Sequence, residues 1–130
     1  MPTITILGLG PGAFDDLTVG ALRALQGARR VILRTDRHPC VEELRGVLAP
    51  ACTVESCDDL YEQHAEFADV YAAVVARVLL AGAQGDVIYA VPGVPREMQV
   101  LVIDAVLPDL QRRAGETSTI VSRTLRTWGE

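Results

Sequence analysis

Hydrophobic and polar positions along the chain fall into two kinds of run. Short continuous apolar runs, bounded by glycine, proline or acidic residues, read as strands buried on both faces. Longer stretches with apolar residues three and four apart read as amphipathic helices. Strands are predicted at Ile4–Leu7, Val31–Leu33, weakly at Cys52–Glu55, at Val87–Val91 and at Thr119–Leu125. A first helix carries Val19, Leu22 and Leu25 and ends at Gly27 or Ala28, with Thr18 as its N-cap. A second, short helix runs through Val41, Leu44, Val47 and Leu48 and stops at Pro50. The clearest stripe is Phe67, Val70, Tyr71, Val74, Val75, Val78 and Leu79, which predicts a core-facing helix ended by Gly82 and Gly85. A last helix is predicted from about Pro95 to Ala114, kinked or turned at Pro108, with an apolar surface wide enough for a subunit contact.

Strand and helix alternate throughout, which predicts one three-layer α/β/α domain over residues 1–130 with a five-stranded, mainly parallel sheet. Two arginines and several polar residues interrupt Thr119–Leu125, so it is expected to be an antiparallel edge strand with one solvated side. Strands one and four are expected to be neighbours. Two glycine–proline turns, Gly8-Leu9-Gly10-Pro11-Gly12 and Pro92-Gly93-Val94-Pro95, then lie on one rim, at carboxyl ends of strands. Open α/β sheets bind ligands there, because free amides and helix N-termini favour anionic or polar groups. The first turn is not the dinucleotide fingerprint: its third glycine comes too early and Pro11 interrupts it. Turns of this kind also occur for structure alone.

Composition narrows the chemistry. The net charge is −5 and all 12 basic residues are arginines, with no basic cluster longer than a pair. Nucleic-acid binding is disfavoured, and lysine nucleophiles are excluded. Three cysteines and two histidines stand at no metal spacing, so no metal site is expected and reduced thiols of a cytoplasmic protein are the simpler reading. No apolar run approaches a membrane span and no secretory signal precedes the first strand, so no membrane partner is expected. Asp58 and Asp59 read as a solvated acidic loop, His38 as a loop residue rather than a general base, and no catalytic residue is assigned. Asp15 and Asp16 read as acids of a helix's first turn, or as holders of a divalent metal against a pyrophosphate.

From Thr3 to about Val91 the chain resembles the N-terminal domain of the tetrapyrrole (corrin/porphyrin) methylases. The matching pieces are ITILGLGPGAFDDLTVGALRAL, RVILRTDRHPCVEEL, DDLYEQHAEFADVYAAVVARVL and GDVIYAVPG. The TDRHP element points to the bacterial branch fused to a nucleoside triphosphate pyrophosphohydrolase. The resemblance implies S-adenosylmethionine as cofactor, lined by Gly8, Leu9, Gly10, Pro11 and Gly12 and by Pro92, Gly93 and Val94, with the loop from Arg34 to Pro39 facing the cleft. It also implies a second domain, for which the sequence leaves no residues. From Val91 onward the chain is similar instead to the molybdopterin-binding-like domain of the competence/damage-inducible protein A family, on GVPREM, VLP and VSRTLRTWG. These two resemblances imply a recombined or engineered chain, methylase-like over 1–92 and competence-inducible-like over 93–130. The expectation is a scaffold with weak or absent cofactor binding and no catalysis of its own. The alternatives are a cofactor-binding half that works with a partner or as a homodimer, and a nucleotide or pterin pyrophosphatase-like domain.

Overall fold

The first four apolar runs form adjacent strands in the computed structural model, which describes residues 3–10, 13–91 and, as backbone and pairing, 121–125. They are β1 (Thr3–Gly8), β2 (Arg30–Leu33), β3 (Thr53–Ser56) and β4 (Val87–Val91); β5 is Val121–Leu125. The order across the sheet is β3-β2-β4-β1-β5. β1 and β4 are neighbours and parallel, with Ile4 opposite Val87 and Gly8 opposite Val91. β2 runs parallel to both β3 and β4. The fold is therefore α/β with a parallel sheet.

β5 corrects one expectation. It lies at the edge, but parallel to β1, with Thr3 opposite Val121 and Leu7 opposite Leu125. A strand's half-polar composition carries no information about its direction. The stretch between β4 and β5 is long enough for a parallel crossover.

Helices cover both faces. Helix α1 (Val19–Gln26) starts at Thr18, whose side chain accepts from the Ala21 N–H at 3.1 Å, and ends at Gly27. Helix α2 is Val41–Val47. Both pack on the face carrying Leu7, Val31, Leu33, Ile88 and Ala90. Helices α3 (Asp58–Gln63) and α4 (Phe67–Gln84) pack on the other face, against Ile4, Ile6, Ile32, Val87, Tyr89 and Val91. Helix α3 is a second correction, because Asp58 and Asp59 form its first turn rather than a loop. Acids in a first turn favour the helix N-terminus.

Helix α4 departs from its pattern at both ends. Burial begins at Val70, and Phe67 and Tyr71 at its start are 71% and 37% exposed, stacked on each other with ring centroids 6.2 Å apart. The apolar stripe thus extends a turn beyond the sheet that it packs on. At the other end the helix continues through Gly82 to Gln84, and Gly85 is its cap. Gly82 is a packing glycine: a Cβ there would lie 2.6 Å from Ile4 Cδ1 and 2.7 Å from Ile4 Cγ1, so its absence lets α4 settle on β1. By length and composition α4 is apolar enough to cross a membrane, contrary to the expectation from apolar run length. Its Val70, Val74, Val75, Val78 and Leu79 are buried against the sheet, as in a core helix.

The last helix predicted from about Pro95 to Ala114, and the subunit contact expected on it, lie outside the described residues.

Candidate functional site at the carboxyl rim

A parallel sheet sends the loop after every strand to the same rim. β1 ends at Gly8, but its pairing continues one residue further, where the Leu9 N–H donates to the Val91 carbonyl at 2.8 Å. The Leu9 side chain is 1% exposed and belongs to the core under α1 and α2. Leu9 therefore anchors the turn to β4 and to the core. Gly10 follows at φ 82, a left-handed conformation that L side chains rarely adopt. Of the residues expected to line the cofactor, Gly8, Leu9 and Gly10 stand together at this rim. Pro11, Gly12, Pro92, Gly93 and Val94 lie outside the described residues.

The loop after β2 reaches the glycine turn. The Arg34 N–H donates to the Ala90 carbonyl at 2.8 Å, which ties the loop's start to β4. Further along, His38 Nε2 lies 2.7 Å from the Gly10 carbonyl oxygen, and the Cys40 N–H donates to His38 Nδ1 at 3.2 Å. His38 is a loop residue, as expected, and its side chain also joins two loops. Arg34 Nε donates to the Tyr61 hydroxyl at 2.9 Å, and its guanidinium carbon sits 5.6 Å from the Tyr61 ring centroid. That contact fixes the β2 loop to α3.

Acidic groups of the same rim are held by local donors. Asp36 donates its backbone N–H to Asp58 Oδ2 at 3.0 Å. A hydrogen bond between the two side chains raises the Asp36 carboxyl above its usual range. Burial opposes charge on Asp58, but bonds from the Asp36 backbone and from Thr35 and Ser56 outweigh it and hold that carboxyl low. Asp59 forms a two-bond pair with Arg77, at 2.8 and 2.7 Å, and Arg77 also donates to the Ser56 carbonyl at 2.9 Å. The Arg77 guanidinium holds the Asp59 carboxyl below its usual range. Asp59 is thus paired rather than simply solvated. This contact was invisible in sequence because it joins residues 18 apart through the fold.

Beneath the rim, burial pushes the Cys57 thiol up to about 11 and the Tyr89 phenol well above its usual range. Both are neutral at physiological pH, and a protonated buried thiol is a poor nucleophile. Cys40, Cys52 and Cys57 are all free thiols. Asp15 and Asp16 sit in a 3-10 turn, Phe14–Asp16, separated from α1 by Leu17 and Thr18. They are not acids of the α1 first turn. Among the described residues, no three His, Cys, Asp or Glu side chains converge as a metal site.

The amino rim differs. It carries a hollow of about 430 Å³ lined by Arg29, Arg30, Thr53, Gln84 and Asp86, and another of about 300 Å³ beside Thr3 and Ala24. Part of their polar lining is already joined. Arg30 bonds Glu55 at 2.6 Å and Gln84 at 2.9 Å, and Asp86 accepts from the Thr3 N–H at 2.7 Å. Among the described residues these hollows favour the amino rim, and the topology of a parallel sheet argues for the carboxyl rim.

Comparison with known proteins decides what this rim belongs to. The model of the tetrapyrrole (corrin/porphyrin) methylases matches residues 3–96. The chain belongs to that family. The chain is 39% identical over 92 residues to the uncharacterized protein YabN of Bacillus subtilis (strain 168), a match covering 71% of this chain and 18% of YabN. It is also 54% identical over 43 residues to a CinA-like protein of Frankia casuarinae, covering 33% of this chain and 10% of that one. The chain thus spans less than a fifth of the length of the curated relatives it matches. The tetrapyrrole methylase match covers β1 to β4 and both loops that meet at Gly10.

Proposed function

We propose that this chain carries the S-adenosylmethionine-binding rim of a tetrapyrrole methylase, and that these 130 residues bind the cofactor weakly and do not transfer its methyl group by themselves. The observation that carries this reading is the left-handed Gly10 turn, held in register by Leu9 on β4 at the carboxyl rim of a tetrapyrrole methylase sheet. Glycine at such a turn keeps side chains out of the way of a ligand that approaches the rim. Methyl transfer also needs an acceptor placed in line with the sulfonium, and positioning contributes about 7–11 kcal/mol to such reactions. The described residues supply no second wall for an acceptor. A partner chain or a homodimer that closes the rim is the route by which the same site becomes an enzyme.

The second segment has its own support. The 54% identity to a CinA-like protein motivates the reading that the chain is recombined, methylase-like over 1–92 and competence-inducible-like over 93–130. An engineered origin fits such a joint. A pyrophosphatase-like activity is the weaker reading, since Asp15 and Asp16 have no third acid or histidine beside them among the described residues. Calorimetric titration with S-adenosylhomocysteine tests the main reading. Saturable heat that S-adenosylmethionine displaces supports it. Binding of ADP-ribose with magnesium in its place would reassign the rim to pyrophosphate chemistry.

A further inference from the structure

His38 is the side chain that joins the two loops of the carboxyl rim. β1 and β2 are not adjacent, because β4 lies between them. Two strand spacings, about 10 Å, therefore separate the ends from which the two loops start. The His38 imidazole closes that gap on Gly10 at 2.7 Å. Its other nitrogen accepts the Cys40 N–H at 3.2 Å, and the Val41 N–H donates to the His38 carbonyl at 3.1 Å. The ring is thus held from both its backbone and its Nδ1 edge. An imidazole that accepts at Nδ1 carries its proton at Nε2 when neutral. Nε2–H is then the donor to the Gly10 carbonyl.

The acceptor it takes is particular. The Gly10 carbonyl belongs to the peptide bond to Pro11, and proline has no N–H. That peptide has a single polar group, and His38 engages it. Gly10 stands at φ 82, where the direction of this carbonyl decides the path of the turn.

We propose that His38 is a positioning residue for the cofactor turn: its Nε2–H, aimed by the Cys40 amide, fixes the Gly10 carbonyl and so holds the left-handed backbone on which cofactor affinity depends. The ligand part rests on the S-adenosylmethionine reading; the positioning part rests on the hydrogen bonds alone. Three variants separate the two edges of the ring. In His38→Gln the amide nitrogen overlies Nε2 and keeps the donor to Gly10. In His38→Asn the amide overlies Nδ1, keeps the partner of Cys40 and loses the donor to Gly10. His38→Ala loses both.

S-adenosylhomocysteine is titrated into the full chain and each variant, with ring and amide nitrogen NMR on the same samples. Dissociation constants raised about tenfold in His38→Ala and His38→Asn, and within about threefold of wild type in His38→Gln, are expected for one lost hydrogen bond. Equal affinity in all four proteins, or His38→Asn as tight as His38→Gln, overturns the proposal. Absence of binding by the wild type overturns the cofactor reading instead. The Gly10 and Ala13 amide resonances then decide the positioning claim: shifted in the Ala and Asn variants and restored in Gln they support it, unchanged they overturn it. The wild-type ring gives a reading independent of any variant's folding. An Nε2–H tautomer is expected, and an Nδ1–H tautomer overturns the proposal.

Discussion

The two rims of the sheet are built from the same strands and differ in what their polar side chains hold. At the amino rim the charged side chains pair with one another: Arg30 with Glu55 and Gln84, and Asp86 with the first strand. The pairs stabilise the ends of strands and engage part of the polar lining of the hollows there. At the carboxyl rim His38 joins two loops at Gly10, Arg34 ties the β2 loop to Tyr61 of α3, and Arg77 of α4 pairs with Asp59 of α3 and bonds the end of β3. The first of these contacts shapes backbone that ends in glycine. The site reading at the carboxyl rim rests on the destination of the loops' hydrogen bonds and not on hollow size.

The comparison can be broken by variants that affect one rim and not the other. The largest effect on stability is expected from Gly82→Val on α4, away from either set of loops. Its side chain collides with Ile4, which is fully buried, and the overpacking costs about 1–3 kcal/mol in denaturant unfolding. Cofactor affinity of the folded fraction is expected to stay unchanged. Gly10→Ala comes next. The left-handed φ costs an L residue about 1–2 kcal/mol, and S-adenosylhomocysteine affinity falls at least about tenfold as the turn shifts. A Gly10→Ala chain with wild-type affinity would remove the glycine turn from the site.

Arg30→Ala sharpens the contrast from the other rim. It deletes a pair whose partners are 30% and 33% exposed, so it costs about 1 kcal/mol and leaves the affinity alone. A large loss of affinity in Arg30→Ala would mean that the hollows at that rim, and not the glycine turn, receive the ligand. The smallest effect is on pH dependence. The Asp59 carboxyl is held below its usual range by Arg77, so its folded form binds a proton less readily than the unfolded chain. Its contribution is present at neutral pH and is lost as pH falls below about 4, towards the lowered folded value. Asp59→Asn is expected to flatten that acid limb in thermal unfolding, and an unchanged limb would show that the pair contributes nothing.

What was legible in the sequence follows the kind of interaction that encodes each feature. β1, β2 and β4 are short aliphatic runs buried on both faces, and such runs are written locally. Thr18 and Gly27 bound α1 through contacts within one turn, and they too were readable. The direction of β5 was not, because a strand's composition reports its exposure while its direction depends on the connection before it. Phe67 and Tyr71 continue the stripe of α4 but find no sheet beneath them, so periodicity alone overstated the core. Gly82 looked like a stop signal and is a close approach to Ile4. At the rim, the glycines identified the turn from sequence. His38 and Gly10, 28 residues apart, were joined only by the fold. A histidine placed just before proline, in a loop at a strand's carboxyl end, was the one local hint of it.

The central claim is that the carboxyl rim, and not the amino rim, receives the cofactor. The most direct test is calorimetric titration of S-adenosylhomocysteine into wild type, Gly10→Ala and Arg30→Ala. The account predicts saturable binding by wild type and Arg30→Ala with matching dissociation constants, and loss of at least about tenfold in Gly10→Ala. Binding that survives Gly10→Ala and disappears in Arg30→Ala would contradict it.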